Sequence, residues 1–87
     1  MKRQLKGNEV KIIRTYFLEV DQNRLAEMLE YDSSYLSQNE SRKNELASEK
    51  LSYRLLNLLE RENFDVELIL IFLQEKDRFL KNTKGRK

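Results

Sequence analysis

The sequence predicts an all-α fold, a compact bundle of five helices, from three observations. It contains no proline and only two glycines, Gly7 and Gly85, both near the ends, so the turn chemistry of a small sheet protein is missing. Apolar residues recur at helical spacing in most segments. Side chains suited to capping, Asn8, Asp21, Asp32 and Ser48, stand just ahead of those segments.

The first helix is expected to begin at Asn8, whose side chain can accept from the free N–H groups of the first turn, with Glu9 near the positive end of the helix dipole. Val10, Ile13 and Phe17 fall on one stripe, flanked by Ile12 and Tyr16. The second helix, capped by Asp21, runs over 22–29 and buries Leu25, Met28 and Leu29. Across 31–44 the apolar content falls to Tyr31, Tyr35 and Leu36, so this helix-like segment cannot be an ordinary core helix. Asp32 can cap it and Leu36 can anchor it, which leaves Ser33, Ser34, Ser37, Gln38 and Asn39 as expected exposed positions. Residues 41–44 end it. The fourth helix starts near Ser48 and carries Leu51, Leu55, Leu58 and Leu59, with Tyr53 and Leu56 beside them; the fifth spans about 65–82. Its run 68–73 is apolar on every side and competes as a strand. Helix is preferred because 74–79 has helix-forming composition and a lone strand would have nothing to pair with.

At 87 residues one domain is expected, too small for an enclosed cofactor pocket. The chain has no Cys and no His, which excludes a disulfide framework, a Cys/His zinc finger, a thiolate nucleophile and a Ser–His relay. Neither a metal nor another cofactor is expected. The pairs Glu27/Glu30 and Glu60/Glu62 read as an exposed helix face and a solvated helix end, and there is no glycine loop to cradle phosphate, so catalysis is not expected. No small-molecule ligand is evident. The longest apolar run has six residues, 68–73, far below the roughly 18 a membrane span needs, so a soluble, cytoplasmic protein without membrane contact is expected.

Net charge is only +2, from 17 Lys and Arg against 15 Asp and Glu, but its distribution is uneven. Residues 1–7 carry Lys2, Arg3 and Lys6 with no acid, and 78–87 carry Arg78, Lys81, Lys84, Arg86 and Lys87 with no acid. Two basic ends around a net acidic body suit arms that touch phosphate; solvated, frayed termini fit the same composition. The expected organisation is therefore a basic arm over 1–7, a helical unit over 8–62, a C-terminal helix over 63–82 and a basic tail over 83–87.

An amphipathic short helix, a break of about three residues and a second short helix rich in hydroxyl and amide side chains make the arrangement a helix-turn-helix requires. Its second helix must keep one face free of core duty to enter the major groove. The residues Arg24-Leu25-Ala26-Glu27-Met28-Leu29, then Tyr35-Leu36-Ser37-Gln38-Asn39-Glu40-Ser41-Arg42-Lys43, resemble the Leu-Ala-x-x-Leu and Ile/Leu-Ser-x-x-Glu-x-Gly-Lys signature of the lambda-repressor-like (Cro/repressor-type, XRE) helix-turn-helix regulators. The likeness covers about 8–60. It implies that Ser33, Ser34 and Gln38 face bases, that Gln22, Ser37, Arg42, Lys43 and Asn44, with Lys2 and Arg3 of the arm, lie along phosphates, and that Arg14 and Glu40 form a buried pair.

Three positions depart from the pattern. Glu30 replaces the turn glycine, which predicts strain or a wider turn. Arg42 replaces the glycine after the recognition helix, and Asn39 replaces an apolar residue, pointing either toward DNA or inward with partners of its own. The spacing from Arg14 to Leu25 is one residue longer than the family's. Chemically, Gln38 alone on that helix can make a bidentate contact to adenine, while the serines read bases weakly or cap the helix.

The resemblance implies a small bacterial or phage-type regulator, a repressor by expectation, on double-stranded DNA. A related version is the antitoxin or accessory DNA-binding half of a two-protein system, in which 68–73 docks the partner; the alternative is a helical interaction module or antitoxin-like chain with weak or no DNA binding. A two-fold dimer through the fifth helix is expected, with Leu68, Ile71, Phe72 and Phe79 at its interface. It would set two recognition helices about 34 Å apart, one turn of the duplex.

Overall fold

The computed structural model describes the backbone of residues 3–85 and the side-chain surroundings of 3–76. Lys2 and the side chain of Phe79, assigned above to phosphate and to a dimer interface, lie outside the described residues. Among the described residues there are five helices and no named strand. Helix α1 (Gly7–Ile12) runs on without a break into a π-helical segment (Ile13–Leu18), followed by α2 (Gln22–Leu29), α3 (Ser33–Ser41), α4 (Glu49–Arg61) and α5 (Val66–Gly85). None of the described helices is long and apolar enough to cross a membrane.

The caps follow local chemistry in two helices. The Asp21 carboxylate accepts from the Arg24 N–H at 2.8 Å, and the Ser48 hydroxyl accepts from the Leu51 N–H at 3.0 Å. Asp32 occupies the N-cap position of α3 without a side-chain cap bond. At α1 the expectation of an Asn8 cap is corrected, because the helix starts one residue earlier. Lys6 is the N-cap residue, its N–H donating to the Glu9 carboxylate at 2.8 Å, and Asn8 sits inside the first turn with its side-chain oxygen buried. The reason lies across the chain: the Gly7 N–H donates to the Glu45 carbonyl and the Asn8 N–H to the Lys43 carbonyl, which draws the helix start against the 42–48 loop.

One core joins all five helices. Val10 and Ile13 from the first helix, Leu25 and Leu29 from α2, Leu36 from α3, Leu51, Leu55, Leu56 and Leu59 from α4, and Val66, Ile69 and Leu73 from α5 are all buried in it. Residues 68–73 are helical, and α5 therefore belongs to the same core as the preceding four helices. The expected free arm over 1–7 is corrected for residues 3–6. Leu5 is wholly buried, its N–H donates to the Ser52 hydroxyl, its carbonyl accepts from Ala47, and the Gln4 amide donates to the Ala47 carbonyl. An apolar side chain with satisfied backbone groups on both sides has no reason to stay in water.

The turn between α2 and α3 is not widened by the missing glycine. Glu30 takes the left-handed conformation itself, at φ 63° and ψ 43°, and its N–H still closes α2 onto Ala26 and Glu27. A non-glycine residue there costs about 1 kcal/mol. Replacing Glu30 by Gly is expected to stabilise the fold by about 0.5–1 kcal/mol, read as a higher urea midpoint at constant slope; no change would mean that Glu30 makes contacts that offset its strain.

Candidate nucleic-acid interface

Helix α3 has two distinct faces. Inward lie Leu36, Asn39 and Glu40, all buried, with Tyr35 half-buried and its ring 4.8 Å from that of Tyr31. Outward, Ser33, Ser34, Ser37, Gln38 and Ser41 are exposed, as are Arg42, Lys43 and Asn44 in the loop that follows. Among these outward positions none is acidic and none is apolar, so the surface offers neutral hydrogen-bonding groups on the helix and two cations at its end.

What holds α3 in place is a buried ion pair. The Arg14 Nε donates to one Glu40 oxygen at 2.8 Å and its Nη2 to the other at 3.0 Å, a bidentate arrangement, while Nη1 donates to the Val20 carbonyl at 3.1 Å. Both side chains are largely shielded from water, with 11% and 4% of their surface exposed. Arg14 lies in the π-helical segment, whose i→i+5 closure takes up more chain per turn than an α-helix does. The segment ends at Glu19, which takes the left-handed conformation with φ 56°. The segment carries the guanidinium that reaches Glu40.

Two residues assigned to phosphate have partners within the fold. Gln22, half-buried, donates its side-chain amide to Glu40 at 3.0 Å at the edge of the buried pair. Arg3, whose side chain remains partly exposed, pairs with Glu9 through two bonds of 3.0 and 2.9 Å, so the cation expected to be free at position 3 already has a carboxylate partner. Burial works against the Glu9 charge, but the Arg3 bonds, the Lys6 N–H and the nearby positive charges outweigh it and hold this carboxyl below its ordinary range.

Of its two expected placements, outward to DNA or inward with partners, Asn39 takes the inward one. Its amide N–H donates to the Tyr35 carbonyl at 2.9 Å, and its oxygen accepts from the Ser48 N–H at 3.1 Å. An apolar residue at this position would leave the Ser48 N–H, at the cap of α4, without that acceptor. Asn39 therefore ties the end of α3 to the start of α4 across the basic loop.

The loop itself is clamped by the N-terminal segment through four backbone or side-chain bonds: Gly7 to Glu45, Asn8 to Lys43, Ala47 to Leu5, and Gln4 to Ala47. At Gly7 the two backbones come so close that a Cβ would fall on the Asn39 carbonyl oxygen and 2.5 Å from that of Arg42. This role of Gly7 escaped the sequence reading. A glycine on the first turn of a helix, where other residues would favour the helix more, was the available signal.

No protein-family model, curated protein or solved structure matches this chain.

Proposed function

We propose that this chain is a sequence-specific regulator that binds double-stranded DNA through α3, a small repressor-type protein that acts by occupying its site. The observation that carries the reading is the outward face of α3: five hydroxyl or amide side chains, followed by Arg42 and Lys43, on a helix held by a bidentate buried pair. A surface helix that merely faces water has no need of such rigid support, whereas base readout requires donor and acceptor positions held in register. The likeness of 24–43 to the lambda-repressor-like signature supports the same assignment. In this reading Gln38, Ser33 and Ser34 face base edges, and Ser37, Arg42, Lys43 and Asn44 lie along phosphates.

Duplex selection from a random pool, followed by titration in salt, tests it. Affinity for the selected duplex is expected to fall by orders of magnitude between low and moderate salt. Gln38→Ala is expected to cost about 1–3 kcal/mol against the preferred sequence and to relax preference at one position, while Lys43→Ala weakens all duplexes alike and lowers the salt slope by about one. Equal losses on specific and random duplexes for both variants would remove Gln38 from base reading. The absence of binding to any duplex at low salt would assign the chain to the helical interaction module instead.

A further inference from the structure

We infer that Phe72, on the outer side of α5, is a positioning residue for α3, acting through Phe17 and the π-helical segment on the Arg14 guanidinium, a role that for DNA binding rests on the function proposed above. Phe72 stands in an apolar stripe with Leu68 and Ile71, the three being 40%, 62% and 53% exposed. It differs from its neighbours in what lies beneath it. The Phe72 ring meets that of Phe17 edge-on, with 5.8 Å between centres and 83° between planes, and Phe17 meets Phe64 in the same way at 6.2 Å and 86°. Phe64 lies in the turn just before α5, and Phe17 and Phe64 are both half-buried. One ring of the π-helical segment is therefore held by two rings from α5 and the turn that leads into it.

The same segment carries Arg14, and Arg14 closes it. Its carbonyl accepts from the Glu19 N–H and from the Val20 N–H, the latter at 3.1 Å, while its Nη1 donates to the Val20 carbonyl at 3.1 Å. Main chain and side chain thus fasten Arg14 to the residue just past the wide turn, and its Nε and Nη2 hold Glu40 at 2.8 and 3.0 Å. The guanidinium keeps all these partners only while the segment keeps its winding. Wound as an α-helix, 13–18 would close on carbonyls four residues back, and Phe17 would stand at another angle about the axis relative to Arg14. Such π turns are rare, so this winding depends on its two anchors, Phe17 toward α5 and Arg14 toward α3. Loosening the aromatic anchor frees the segment to rewind, and Glu40 shifts with the guanidinium it binds. Close packing passes the displacement on, because the side chains between have little room to absorb it. Leu68 and Ile71 share the stripe but, being aliphatic, take no part in the ring stack.

Hydrogen exchange at the Arg14 Nε–H, followed by NMR on the isotope-labelled full chain without DNA, tests the coupling, with the Leu55 amide in the core reporting global opening. Phe72→Ala and Phe17→Leu are each expected to speed exchange at Arg14 about tenfold more than at Leu55. Leu68→Ala and Ile71→Ala, on the same stripe, are expected to change the two sites alike. Phe72→Leu, which keeps an apolar side chain but loses the ring edge, is expected to act in the same direction as Phe72→Ala and serves where the alanine variant does not fold. On the selected duplex, Phe72→Ala is expected to lower affinity about tenfold with an unchanged salt slope, because no phosphate contact is removed. Equal acceleration at Arg14 and Leu55 in the Phe72 and Phe17 variants, or the same selective effect from Leu68→Ala, would overturn the coupling. Unchanged affinity on a duplex that does bind would overturn the role at α3. If Arg14 responds as expected while no duplex binds at low salt, the link from α5 to α3 stands and the proposed function falls.

Discussion

Gly7→Ala is expected to lower the stability of the fold by about 3 kcal/mol, the upper end of the range for inserting one methyl group into a packed site. The added carbon would meet the carbonyl oxygens of Asn39 and Arg42, which are backbone and cannot swing aside like a long side chain. Relief requires that α1 and the end of α3 move apart, which strains the Gly7-to-Glu45 and Asn8-to-Lys43 bonds that clamp the loop. Urea unfolding measures the loss, and a midpoint within error of the wild type would show that the close approach is not maintained. Any DNA affinity should fall with it at temperatures where the variant is still folded, because the displaced segment carries Arg42, Lys43 and Asn44.

Arg14→Met is the second large effect, about 3–5 kcal/mol, because it leaves the buried Glu40 carboxylate with the Gln22 amide and no cation. Glu40→Leu is expected to cost a similar amount by stranding the guanidinium, which keeps only the Val20 carbonyl. The double variant, with both charges gone, should cost far less than the sum of the two. A coupling of about 2–3 kcal/mol in the double-mutant cycle, measured by urea unfolding, is the expected outcome. Additive losses would mean that the two residues do not depend on one another, and that α3 is held by Leu36 and Asn39 alone.

Features set by neighbours within a turn or two were legible from the residues in order. Asp21 and Ser48 cap the helices they precede because acceptor and N–H lie three residues apart in the chain. The helical state of 68–73 followed from its flanking composition, and the polar outer face of α3 from the scarcity of apolar residues over 31–44. The Arg14 and Glu40 positions, 26 residues apart, were accessible only through the family resemblance; no local pattern connects them.

Tertiary packing decided the rest. Arg3 pairs with Glu9 because Leu5 buries itself and draws the N-terminal segment onto α1 and α4. Asn39 turns inward because the Ser48 N–H arrives beside it from nine residues away, and Gln22 is taken up by a carboxylate 18 residues away. Glu30 accepts a left-handed conformation because the packing of α2 against α3 imposes the turn and outweighs a cost of about 1 kcal/mol. In each case a polar group or a backbone conformation answers to a partner that composition and periodicity do not place. Hydrophobic period specifies which face is buried, but the register at which buried faces meet is set by three-dimensional fit, and only that register brings a given donor to a given acceptor.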